Sequence, residues 1–196
     1  MVKTNNLQER EAWVFCRLQI FYRDKCNLDK FLDIINNPYK KRLSLRLIDW
    51  FVTNYSKKHN IVYPIERPGG NVELFAPYQR YRDQLSAYPK KLFDPFCRGN
   101  GLLIDYDSVR IVSEEEAEEK NLEIFETAIC QLHFFKWAIE NLVTEYIEQH
   151  LTEVYDDMQS NCSRVSNDPI KKTKQQLSQS VYTKMVENNV PIKISF

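Results

Sequence analysis

Two groups of residues in this 196-residue chain have the types and spacing to do chemistry. The first is Cys130-x-x-His133, with Cys97 further back. A thiolate and an imidazole are zinc ligands, and the same pair can act as nucleophile and base. A structural zinc site needs about four closely placed ligands, usually with a second Cys/His pair at similar spacing. No second pair exists, and the pair is expected mid-helix, so a buried thiol and a packed histidine fit better. A Cys–His nucleophile also needs an activated, open thiolate, for which the neighbouring residues supply no partner. The second group is the acidic run at residues 114–119. Consecutive carboxylates on a helix splay around the axis and do not converge on one cation. Ser113 with Glu116 reads instead as a capping box whose acidic first turn suits the positive helix end. The sequence holds no P-loop, dinucleotide fingerprint, kinase set or nucleophile elbow. The reading leans away from an enzyme and assigns no catalytic residue, metal ligand or cofactor.

Cations offer more. Net charge is zero, yet residues 40–98 carry 12 Lys and Arg against 5 Asp and Glu, residues 101–160 carry 3 against 15, and residues 161–196 carry 6 against 2. A basic centre is thus followed by an acidic stretch and a basic tail. Cations neutralise phosphates, and tyrosines among them can stack on bases. Arg42, Arg46, Lys57, Lys58, Lys90, Lys91 and Arg98 form the candidate nucleic-acid contact surface. Solvated helix faces with segregated signs explain the same charges, and Tyr78, Tyr81 and Tyr88 at helical spacing read more readily as core. No signature of a known nucleic-acid module accompanies them.

The elements that must carry these residues are mostly helices. With only four glycines, 43% hydrophobic and 13% aromatic residues, an all-β fold and wholesale disorder are both disfavoured. Residues 1–11 read as loose, and residues 12–22 lean to helix. Asn27 is the expected N-cap of a helix with Leu28, Phe31, Leu32 and Ile35 on one face. A central helix starts near Ser44, buries Leu47, Ile48, Phe51, Val52 and Tyr55, and closes at residues 57–60. Residues 61–65 and 72–75 read as paired strands about a Pro68-Gly69-Gly70-Asn71 turn. Pro77 opens a further helix, which Pro89 cuts. Residues 93–98 form a packed aromatic loop and residues 102–106 a strand. An apolar stripe from Leu122 to Met158 predicts one long helix, broken at most once.

The expected fold class is therefore α+β, helix-dominated, in a single domain of packed helices with two small strand pairs and a flexible C-terminal tail. Its boundaries are 1–159 for the globular domain and 160–196 for a polar, basic linker and tail. That tail ends in a strand-like segment, where Ile192, Ile194 and Phe196 are the candidate partner-binding residues. No run of about 18 apolar residues is present, so no membrane partner is expected. Five widely spaced cysteines suit reduced thiols better than a disulfide framework.

KRLSLRLIDWFVTNY at 41–55, QLSAYPKKLFDPFCR at 84–98, QLHFFKWAI at 131–139, and a tail with KQQLSQS and a closing PIKISF resemble an uncharacterised protein family of nucleocytoplasmic large DNA viruses. The resemblance covers roughly residues 28–158. It implies a location in the host cytoplasm (the viral factory) or the virion, and no activity. The expected function is that of a non-enzymatic viral protein binding DNA or RNA. The alternative is a virion scaffold protein binding other viral structural proteins through its tail. The oligomeric state stays open.

Overall fold

The structure is a computed structural model that describes residues 8–36, 43–96 and 101–165. Its centre is α7, Ile129–Glu140, which buries residues on every side, among them Leu132, Phe134, Phe135, Trp137 and Ala138. A helix that is apolar all round belongs inside a fold. Helices α1 (Glu9–Tyr22) and α2 (Lys25–Ile35) pack on it, and the wholly buried Tyr22 hydroxyl donates to the Leu132 carbonyl at 2.8 Å. The central helix starts as α3 (Leu45–Trp50), passes through a π-helical stretch (Phe51–Tyr55) and ends as α4 (Ser56–Lys58). Ser44 caps it by accepting from the Leu47 N–H, and Asn60 stops it in left-handed geometry at φ 49°. The wider π turn keeps Phe51, Val52 and Tyr55 all buried.

Strands β1 (Tyr63–Arg67) and β2 (Asn71–Phe75) form an antiparallel hairpin in which Tyr63 faces Phe75. Its turn uses Gly69 and Gly70 at φ 96° and 77°, which a residue with a Cβ rarely adopts. Helix α5 (Pro77–Ala87) follows, with Pro77 in its first turn. The aromatic loop after it is packed as expected. Phe93 is fully buried, and the Asp94 N–H donates to the Cys130 carbonyl. The buried Gln131 side chain holds this loop on α7. Its amide donates to the Pro95 carbonyl at 3.1 Å, and its oxygen accepts from Thr127 Oγ1 at 3.0 Å.

Four features depart from the sequence-based expectations. Helix α1 begins at Glu9, inside the stretch read as loose, because the Gln8 N–H donates to the Glu11 carboxylate at 3.2 Å. The N-cap of α2 is Asp24 rather than Asn27; its carboxylate accepts from the Cys26 N–H at 3.0 Å. The stripe from Leu122 to Met158 is not one helix. Helix α6 (Glu114–Lys120) stops at Asn121 in left-handed geometry, and strand β5 (Ile124–Thr127) follows before α7. A second left-handed residue, Leu142, separates α7 from α8 (Val143–Gln149), and α9 (Leu151–Val165) comes next. The second strand pair is a three-stranded antiparallel sheet, with β3 (Leu102–Asp105) between β4 (Ile111–Val112) and β5. Helix α9 ends at Val165. The fold is helix-dominated α+β.

Candidate nucleic-acid interface

The lysines singled out in the sequence fall into two groups at opposite ends of α5. Lys57 and Lys58 on α4 are exposed and form the first; Arg46 on α3 is also exposed but stands apart, about 16 Å back along the same helical run. Lys57 lies over the Tyr78 ring at 5.3 Å, near the start of α5. With Trp50, Asn54 and Asn161, the two lysines border a shallow hollow of about 360 Å³. Lys90 and Lys91 belong to the second group, just beyond the end of α5. Eleven helical residues separate the groups by about 16 Å, so they do not form a single patch. Arg42 and Arg98 lie outside the described residues, as do Ile192, Ile194 and Phe196.

The acidic stretch answers part of the first group internally. Asp157 on α9 accepts from Lys58 Nζ, and its other oxygen accepts from Trp50 Nε1 at 3.1 Å. Burial pushes the Asp157 carboxyl up, but the hydrogen bonds from Lys58 and Trp50 outweigh it and hold the group below the ordinary aspartate range. Glu153 on the same helix accepts from the Tyr55 hydroxyl at 3.4 Å. The carboxylates at 114–119 are elsewhere, where Glu116 accepts from both Arg110 and Lys120.

The second group gains cations that the sequence reading passed over. Lys91 Nζ donates to Gln8 Oε1 at 2.9 Å and pairs with Glu11 at 3.4 Å, which sets Lys91 beside the first turn of α1. Arg10 reaches the same corner, donating to the Ala87 carbonyl at 2.8 Å with its guanidinium 5.6 Å from the Tyr88 ring centre. Two turns along α1, Arg17 sits 5.0 Å from the centre of the Trp13 ring. Arg10, Trp13 and Arg17 share one helical face because they are three and four residues apart. That spacing was legible in the sequence; what it faces was not. The face borders a pocket between α1, α5 and α7, to which Tyr88, His133, Lys136 and Glu140 also contribute.

The tyrosines divide. Tyr81 is core, in contact with Phe93, Phe134 and Trp137, whereas Tyr78 and Tyr88 stay half-buried beneath cations. Cys130 and His133 are built into packing. The Cys130 thiol faces the Phe96 carbonyl at 3.7 Å, and His133 Nδ1 lies 2.9 Å from the Leu92 carbonyl. A backbone carbonyl only accepts, so Nδ1 carries the proton. Burial holds the imidazole below its usual pKa despite that bond. Among the described residues, no group of three His, Cys, Asp or Glu side chains could hold a metal ion, and no helix is long and apolar enough to cross a membrane.

No solved structure matches this chain. A protein of Acanthamoeba polyphaga mimivirus, itself described as uncharacterised, is 36% identical over 164 residues. The match covers 84% of this chain and 56% of the relative, so the chain spans a little over half of that protein's length. The family of unknown function DUF7197 matches residues 4–189. The resemblance to uncharacterised proteins of large DNA viruses thus holds, and the chain belongs to the DUF7197 family.

Proposed function

We propose that this protein acts by binding nucleic acid through its cationic faces, with no covalent chemistry of its own. The observation that carries this reading is the corner where α1 meets the end of α5. Arg10 and Lys91 meet there, with Lys90 next to Lys91 in the chain, and Arg17 continues the positive charge along α1 beside Trp13 and Tyr88. The contacts of Arg10 and Lys91 are exposed, and Lys91 keeps 54% of its side-chain surface in water. Exposed ion pairs are worth about 0–1 kcal/mol, so phosphate oxygens can displace them at little cost. The proposed setting is the viral genome or its transcripts, in the host cytoplasm or the virion.

Binding to duplex DNA, single-stranded DNA and RNA against salt tests the reading. The logarithm of the binding constant should fall linearly with the logarithm of salt, by about 0.9 per phosphate neutralised on a duplex. Lys90→Glu with Lys91→Glu should flatten that slope and leave the melting temperature nearly unchanged. Failure to bind any of the three polymers at low salt would remove the proposal.

A second reading, a scaffold protein that meets its partners through the hairpin rather than through the tail, has one observation in its favour. The outer face of the hairpin presents Val72 and Leu74 at 67% and 70% exposure, with Val62 beside them at 54%. An apolar sheet face of this kind is a contact surface for other proteins, here other viral structural proteins. Leu74→Lys should abolish co-assembly with such a partner while leaving polyanion binding intact.

A further inference from the structure

We infer that the pocket between α1, α5 and α7 receives one unpaired base of a single-stranded nucleic acid, with Trp13 and Tyr88 as its stacking surfaces. This rests on the nucleic-acid reading and specifies the form of polymer recognised.

The pocket has a volume of about 280 Å³. That lies just below the range for drug-sized ligand sites, which suits a single base. A duplex cannot use it, since the faces and pairing edges of its bases are occupied. Trp13 stands at the rim with 55% of its surface in water. Arg17 covers one part of the indole, and Arg10 covers Tyr88, so each rim aromatic already carries a guanidinium. Such pairs bind a nucleotide twice over: the ring or the guanidinium plane stacks on the base, and the charge meets the adjoining phosphate.

The polar groups are of the kinds that read a base edge. His133 lines the pocket with its proton fixed on Nδ1 by the Leu92 carbonyl, which leaves Nε2 as an acceptor. Its ring is held edge-on to Tyr88 at 4.6 Å and to Phe93 at 5.3 Å, so the acceptor has a fixed orientation. Arg17 supplies donors. Glu140 is the single carboxylate of the lining, and it already accepts from Lys136 Nζ. The pocket's own acid is thereby neutralised, and the cations around it set the sign of the field a phosphate meets.

The test uses the full chain and two fluorescein-labelled probes, an oligothymidylate and a duplex of the same length, read by anisotropy across a salt series. The single strand should bind more tightly. Trp13→Ala should weaken single-strand binding by about 5- to 150-fold, the range for losing one stacked base, and leave duplex binding unchanged. Trp13→Phe should restore most of the loss, which a purely structural role for an exposed indole would not require. Arg17→Gln should reduce the single-strand salt slope by about 0.7. Equal affinity for both probes, with Trp13→Ala unchanged, overturns the inference while the nucleic-acid reading stands. No binding of either probe overturns both. Displacement of the single strand by an equally charged phosphopeptide also overturns the inference, because it would show that charge alone fills the site.

Discussion

Asp157 is where the acidic helix α9 is tied to the basic central helix, and its removal tests whether the segregated charges are used internally. Its side chain is only 9% exposed, and its two oxygens accept from Lys58 and from Trp50. A hydrogen bond to a charged acceptor contributes about 1.5–3 kcal/mol. Trp50 is half-buried, so water recovers part of that bond, and the lower figure applies. Lys58 is 54% exposed, so its pair adds only about 0.5 kcal/mol. Asp157→Ala should therefore cost about 2 kcal/mol, or about 4–8 °C in melting temperature for a domain of this size. Asp157→Asn keeps an acceptor for Trp50 and should cost less than half as much. Thermal and urea unfolding read both variants, and a cycle with Trp50→Phe should give a coupling of about 1 kcal/mol. The carboxyl titrates lower in the folded chain than in the unfolded one. Its stabilisation is thus complete above the ordinary aspartate range and lost as pH falls through the lowered folded value. Asp157→Asn should lack that component of acid destabilisation. A melting temperature for Asp157→Ala within about 1 °C of the parent, or no coupling to Trp50, would refute the docking of α9 on α3.

Three further outcomes follow from the fold. Gln131→Ala strips partners from the buried Thr127 hydroxyl and Pro95 carbonyl. Each orphaned group costs about 1–3 kcal/mol, so urea unfolding should show a loss of about 2–6 kcal/mol, with the aromatic loop the first segment to exchange its amide hydrogens. His133 is held below its usual pKa by burial, so its contribution to stability is complete above the unfolded pKa of about 6.5 and declines as pH falls towards the lowered folded value. His133→Gln should flatten the melting temperature between about pH 7.5 and pH 5 on that account. Leu142 links α7 to α8 in left-handed geometry at φ 53° and is partly exposed. Leu142→Gly should relieve about 1 kcal/mol of backbone strain and raise the melting temperature by a few degrees.

Where a local rule was sufficient, the elements were legible in the chain. Pro77 opens a helix because its ring presets φ, and the Pro68-Gly69-Gly70 turn pairs two strands because only glycine adopts those angles freely. Ser44 caps because its hydroxyl reaches the Leu47 N–H. Strand β5 was hidden for the opposite reason. Leu122, Phe125 and Ile129 keep a helical rhythm, yet Phe125 pairs with Ile104 of β3, a ladder that exists only once distant segments meet. Lys57 and Lys58 were legible as cations, but that Asp157 neutralises Lys58 depends on a residue about a hundred positions away.

The sequence by itself determined the helix-dominated class, the hairpin, the placement of charge along the chain and the family resemblance, because these follow from residue type and short spacing. The fold alone decided that the basic residues split across α5, that α9 answers one group, and that Trp13 and Arg17 open onto a pocket with Tyr88 and His133, with Arg10 over the Tyr88 ring. The physical reason is that periodicity assigns a residue to a face of its own helix. Which other surface lies against that face is set by long-range packing around α7, and it is there that cations gain or lose their partners.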